Sequence, residues 1–262
     1  AELSESAVMS DAPVLRMNPA IRARDYVETF RREGIVQINN VFDPALADYL
    51  EKTLKDDTYW RLTYADEKHK AVSLNSEQIA KTDLQALAGE ILKRASDGFS
   101  YVYLACHLQQ TYGGPQAAEH PLHKLYNLLN SPELLAFGRE VTGHADVVRI
   151  DATATWYRPG DFLNLHTDQV GLRRTAYTLG FTKGWRADWG GQLLFHTGTG
   201  DVERGYRPAF NVLTMFNIPR THSVAQVAHY AKERRLTVSG WLIAPDAPPQ
   251  PQPSATGVPP GH

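Results

Sequence analysis

His166, Thr167 and Asp168 set an imidazole and a carboxylate two residues apart, and His222 and Arg235 come further along the chain. In a β-strand, residues two apart project to the same face, so His166 and Asp168 are expected to grip one metal ion together. One more imidazole would complete a face of an octahedron. Fe(II) held by two histidines and one carboxylate keeps three positions open, room for a bidentate 2-oxo acid and then dioxygen. Structural zinc normally takes a fourth protein ligand, often a thiolate, and the single cysteine, Cys106, cannot build such a site.

A His-x-Asp match arises easily by accident in a chain with ten histidines, so its context decides. Tyr157 to Leu165 lead into it: Pro159-Gly160 signals a turn, and alternation through Phe162, Asn164 and His166 reads as a strand with the ligands at its end. The third ligand lies among His196, His222 and His229. His222 is preferred because it comes after the apolar strand Asn211 to Ile218 and the turn-forming Pro219, and precedes the alternating Ser223 to Val227. His196 runs into Thr197-Gly198-Thr199-Gly200 and reads as a turn residue, and His229 as surface.

Arg235 opens the last strand, where Arg235, Thr237, Ser239 and Trp241 share one face and Leu236, Val238 and Leu242 the other. The polar face suits a pocket wall. A guanidinium fork makes two charge-assisted hydrogen bonds to the distal carboxylate of 2-oxoglutarate, with Ser239 as a further hydroxyl. The competing reading is a solvated charged turn, Lys232 to Arg235.

The positioning elements are legible further upstream. Ala23 to Arg32 has helical spacing stopped by Gly34, and a strand covers Ile35 to Val41. Asp43-Pro44 starts a helix with Leu46, Leu50 and Leu54 on one face. Residues 65–83 are polar and lysine-rich, either a flap over the substrate or a plain surface loop. Phe99 to Tyr112 fits a strand or a helix, and helices over Pro121 to Leu129 and Pro132 to Val141 are expected to support the sheet. Trp60, Trp185 and Trp189 are candidates for the pocket mouth or for core packing.

From about Val147 to Ile243 these residues resemble the prolyl-4-hydroxylase-like branch of the 2-oxoglutarate/Fe(II)-dependent dioxygenases, in particular the catalytic domain of ribosomal-protein prolyl hydroxylases. The likeness rests on Tyr157 before the His166/Asp168 run, Trp185 ahead of Gly190-Gly191, the segment from His222 to Val227, and Arg235 to Trp241. The resemblance implies a mainly β fold with flanking helices, a double-stranded β-helix or jelly roll. It implies His166, Asp168 and His222 as iron ligands, Arg235 as the 2-oxoglutarate anchor, and Tyr157 and Ser239 as secondary contacts. Its cofactors would be Fe(II), 2-oxoglutarate and O2, with ascorbate to rescue oxidised iron. A carboxylate at Asp168 argues against the halogenase branch. Relatives commonly place a co-substrate tyrosine where this chain has Gly180, which implies that Tyr103 or Tyr177 substitutes or that the pocket is roomier. The substrate implied is a prolyl residue in a protein. The alternatives are a free amino acid or other small molecule, or a non-enzymatic jelly-roll or cupin-like metal-binding module.

Composition bounds the rest. A chain of 262 residues without an internal composition shift is expected to form one dioxygenase domain over 20–244, with its iron-site core in 147–243. A flexible segment is expected over 1–19 and a Pro-rich disordered tail over 245–262. A net charge of −2 gives no broad positive field, so no nucleic-acid partner is expected. No apolar run approaches the roughly 20 residues of a membrane span, no leader pattern is present, and one cysteine agrees with a cytoplasmic location.

Overall fold

The computed structural model describes residues 12–245. Of the expected flexible start, residues 1–11 lie outside the described residues. Beyond them Met17 is buried, and Asn18 N donates to Val41 O at 2.7 Å. Residues 246–262 of the expected tail also lie outside the described residues.

The chain runs α1 (Arg24–Glu33), β1 (Ile35–Asn39), α2 (Pro44–Asp56), β2 (Arg61–Ala65), β3 (Ala71–Leu74), α3 (Ser76–Ala80), α4 (Leu84–Asp97), β4 (Tyr101–His107), α5 (Leu108–Tyr112), α6 (Pro121–Leu129) and α7 (Pro132–Thr142). The remaining strands are β5 (Arg149–Ile150), β6 (Thr153–Tyr157), β7 (Phe162–His166), β8 (Arg173–Phe181), β9 (Leu193–His196), β10 (Val202–Tyr206), β11 (Phe210–Asn217), β12 (His222–Val224) and β13 (Arg235–Ile243). The strand order β1-β11-β8-β13-β6-β4-β7-β12-β9-β10 makes one curled antiparallel sheet, the expected jelly roll. Strand β4 closes the curl: Leu104 to His107 pair with β6, while Tyr101 and Val102 pair with β7.

Local chemistry accounts for the ends of these elements. Gly34 stops α1 in a left-handed conformation (φ 65°), and the Ser131 hydroxyl caps α7 by accepting from Leu134 N. Asp43 occupies the N-cap position of α2, with Pro44 at the first helical position. Leu46, Leu50 and Leu54 of α2 are almost wholly buried, and burial of each such side chain contributes roughly 1.5–3 kcal/mol. They join Leu122, Leu125, Leu236, Val238 and Leu242 in a core between the helices and the outer face of the sheet. The two helices expected as sheet support therefore pack as expected. The stretch from Phe99 to Tyr112 divides into strand β4 and helix α5, because its alternating aromatics give way to a turn of helix after His107.

Candidate metal centre and co-substrate pocket

Strand β6 ends at Tyr157, and a tight turn reverses the chain. Asp161 accepts from both the backbone N and the side chain of Arg158, and Gly160 takes a φ of 90°. This turn aims β7 into the barrel, where His166 is its last residue. His166 pairs with His222 but Leu163 pairs with Val224, so β7 carries a bulge. The bulge overrides the expected alternation. Asn164 points out, accepting from Ser100 N and donating to Gly98 O, while Leu163 joins His166 in lining the interior.

Asp168 lies beyond the strand, so shared-face alternation does not bring it to His166. A left-handed backbone at Asp168 (φ 58°) does, with Val170 N donating to Asp168 O at 2.7 Å. Aspartate tolerates this conformation better than most residues. The result is a compact group: Asp168 is 3.4 Å from His166 Nε2 and 3.3 Å from His222 Nε2, and one donor atom from each residue lies within 4.8 Å of the others. Each imidazole is oriented from behind. His166 Nδ1 bonds Asn164 O at 2.9 Å and His222 Nδ1 bonds Arg220 O at 2.8 Å. Those bonds place the proton on Nδ1 and leave the Nε2 lone pairs facing the carboxylate, as metal-binding histidines require. Burial would raise the Asp168 pKa, but imidazolium rings carrying a second proton on Nε2 would hydrogen-bond and attract the carboxylate and hold it well below its usual range, a place that a metal cation takes when the rings are neutral. Two imidazole nitrogens and a carboxylate on one side of an open cavity suit Fe(II).

The cavity is about 650 Å³ and extends from these residues to Arg235. Arg235, the first residue of β13, is 4% exposed, and its Nε donates to Gly191 O at 2.6 Å. Its guanidinium lies 4.5 Å over the Tyr157 ring. No carboxylate lies within ion-pair distance among the described residues, and burial lowers its pKa. Thr237, Ser239 and Trp241 also face the cavity, while Leu236, Val238 and Leu242 face the helices. The predicted division of faces holds, and the solvated-turn reading of Arg235 does not. Its neighbour Arg234 turns outward and stacks on Trp156.

Three tyrosines form one wall. Tyr101 stacks on Tyr103 at 5.3 Å and Tyr103 on Tyr157 at 4.8 Å. Burial raises the pKa of each, which keeps all three as neutral hydroxyl donors. Tyr177 instead donates its hydroxyl to Asp151 O at 2.8 Å on the helix side. At Gly180 an added Cβ would stand 2.3 Å from Ala209 O, an oxygen that already accepts from Thr182 N. Main chain therefore fills that position, and the pocket is not widened there. Of the two tyrosines considered as substitutes, Tyr103 faces the site.

His196 bonds Ser223 and His229 is exposed, so neither joins the metal group. Trp185 and Trp189 pack edge-to-face on each other in a cluster with Val224 and Val227, and Trp60 packs edge-on against Trp156. All three belong to packing, and the mouth is shaped by other residues. Residues 65–83 form the end of the β2–β3 hairpin, β3 itself and α3, and bring His69 and Ala71 to the cavity. One functional candidate escaped sequence reasoning. Arg173 lies 3.4 Å over Trp241 and 3.9 Å from Asp168. Only a register shift at the end of the β8–β13 ladder turns it inward, and no sequence pattern signals that shift.

Residues 152–243 match the model of the 2OG-Fe(II) oxygenase superfamily, a stretch that holds His166, Asp168, His222 and Arg235. The fold is similar to that of a Pseudomonas putida prolyl-4-hydroxylase (TM-score 0.53, 16% identity, covering 88% of this chain and 99% of that one). It is also similar to a 2OG-Fe(II) oxygenase family oxidoreductase from Burkholderia pseudomallei (TM-score 0.54, 15% identity, 87% and 93%). A third likeness is to a Trichoplax adhaerens prolyl hydroxylase in complex with a hypoxia inducible factor peptide (TM-score 0.54, 14% identity, 84% and 89%). Residues 152–243 are thus similar to the 2OG-Fe(II) oxygenase superfamily, the described chain has the fold of these oxygenases, and the matched segment holds a His-Asp-His group that suits iron.

Proposed function

We propose that this chain is a 2-oxoglutarate/Fe(II)-dependent dioxygenase that hydroxylates a prolyl residue within a protein, with His166, Asp168 and His222 holding Fe(II) and Arg235 anchoring 2-oxoglutarate. The observation that carries the substrate reading is the charge of the cavity wall: its sole acidic residue among those described is Asp168, which the metal would engage. A free amino acid would bring an ammonium group with no counter-ion, and burying an uncompensated charge is costly. A prolyl residue inside a chain has no such charge. Phe99, Leu165 and Val170 give the mouth an apolar rim suited to a pyrrolidine ring, and Arg173 offers guanidinium donors to the carbonyl of a peptide. The prolyl hydroxylases of similar fold support the same reading.

The metal, when bound, supplies O2 activation coupled to oxidative decarboxylation of 2-oxoglutarate to succinate and CO2. The protein's own groups bind and orient. Arg235 presents a charged fork to the distal carboxylate, Ser239, Tyr157 and Tyr103 offer neutral hydroxyls beside it, and the tyrosine wall excludes water from the reacting centre. Anaerobic titration of Fe(II)-loaded protein with 2-oxoglutarate should produce the weak visible charge-transfer band of bidentate chelation. Mass spectrometry of candidate proteins turned over with enzyme then reads the substrate. Prolines that gain no oxygen, while small molecules are consumed, would exclude the peptidyl reading.

A further inference from the structure

Strand β13 delivers the chain to the rim of the active-site cavity. Arg235, Thr237, Ser239, Gly240 and Trp241 contribute to its wall, Ile243 pairs with Arg173, and Ala244 N donates to Leu172 O at 2.9 Å. Arg173 in turn reaches within 3.9 Å of the Asp168 carboxylate. Ile243 therefore lies one strand spacing, roughly 5 Å, plus the length of one arginine side chain and a further 3.9 Å from the Asp168 carboxylate, and Pro245 follows two residues later.

From that point on, the composition is unlike that of the rest of the chain. Pro245 to His262 hold seven prolines, at 245, 248, 249, 251, 253, 259 and 260, of the 16 in the whole chain. They contain no lysine or arginine, and Asp246 is their one acidic residue. Such a segment brings no cation into a cavity that has no free carboxylate to receive one.

We propose that prolines between Pro251 and Pro260 are substrates of this active site, hydroxylated within the same molecule. The proposal rests on the prolyl reading given above. Chain length permits it: at about 3.3 Å per residue, six to fifteen residues beyond Pro245 span roughly 20–50 Å, enough to turn back into the cavity, whereas Pro248 and Pro249 are tethered too closely. Tethering also relaxes the demand on recognition, since a short linker gives an effective concentration on the order of millimolar. Proline fixes φ, so less freedom is lost when such a segment is held. In the reaction one atom of O2 enters a prolyl C–H bond, which becomes C–OH. The other enters the new carboxylate of succinate as the bond to CO2 breaks. The C–H bond and 2-oxoglutarate each give up two electrons, and O2 accepts all four.

The test uses the full chain. Protein loaded with Fe(II) is turned over with 2-oxoglutarate in air and digested with trypsin, which releases Leu236 to His262 as one peptide because no lysine or arginine interrupts it. Tandem mass spectrometry should find one added oxygen on a proline between Pro251 and Pro260. The modification should be absent without 2-oxoglutarate and in Asp168→Ala, and its extent per molecule should be unchanged on serial dilution. An unmodified peptide from enzyme that hydroxylates prolines in an added synthetic proline-rich peptide would overturn the proposal and leave the prolyl reading standing. Hydroxylated proline in neither would overturn both. Modification that fades with dilution would place the reaction between molecules and refute the same-molecule step.

Discussion

Replacing Arg235 with methionine should have opposite effects on the free and the co-substrate-bound protein. Arg235 is 4% exposed, without a carboxylate partner among the described residues, and is held by Gly191 O and the face of Tyr157. Two charge-assisted hydrogen bonds to a dicarboxylate, at roughly 1.5–3 kcal/mol each, total about 3–6 kcal/mol. Their loss corresponds to roughly 10²- to 10⁴-fold in affinity for 2-oxoglutarate. In the free protein, Arg235→Met removes a buried charge that costs desolvation, and it forfeits about 1 kcal/mol at Gly191 O and about 0.5–2 kcal/mol over Tyr157. These contributions oppose each other, so the free variant should unfold at or slightly above the parent's midpoint. Thermal unfolding of metal-loaded protein with and without 2-oxoglutarate reads both effects. At a ligand concentration near one hundred times its Kd the parent gains about 2.7 kcal/mol, a rise of roughly 5–10 °C for a chain of this size, and the variant should gain almost nothing. An equal ligand-induced rise in both proteins would refute the anchor role. A free variant that melts several degrees lower would make Arg235 a structural residue.

Three further outcomes are expected. Asp168→Ala should lose Fe(II) binding by equilibrium dialysis, since two imidazoles alone leave the ion without its charged ligand; unchanged affinity would remove the triad from consideration. Tyr103→Phe should weaken 2-oxoglutarate about fivefold in anaerobic titration, the value of one hydrogen bond of about 1 kcal/mol, whereas Tyr177→Phe, whose hydroxyl serves Asp151 O, should leave it unchanged. Gly180→Ala would force a methyl group to within 2.3 Å of Ala209 O unless the loop moves, so it should lower stability by about 1–3 kcal/mol in denaturant titration.

Much of the site is legible in the sequence because its signals are short-range. Side-chain chemistry marks His166, Asp168 and His222 as candidate metal donors, and the two-residue period of an extended strand separates Arg235, Thr237 and Ser239 from Leu236 and Val238, which lie on opposite faces of β13. Helix α2 is readable for the same reason, since proline at its start and leucines four apart are local facts. Other features depend on irregularities of pairing and on contacts far apart in the chain, and no local pattern announces them. The bulge in β7 turns Asn164 out, and a left-handed backbone, rather than alternation, brings Asp168 to the metal group. The register shift beside Arg173 brings that guanidinium to the metal face. Gly180 is glycine because the carbonyl of Ala209, 29 residues later, occupies the space of a side chain. Strand alternation fixes direction only while pairing is regular. Residue types and local spacing therefore mark the candidate side chains, and the folded sheet, through its bulges and long-range pairings, selects which of them meet.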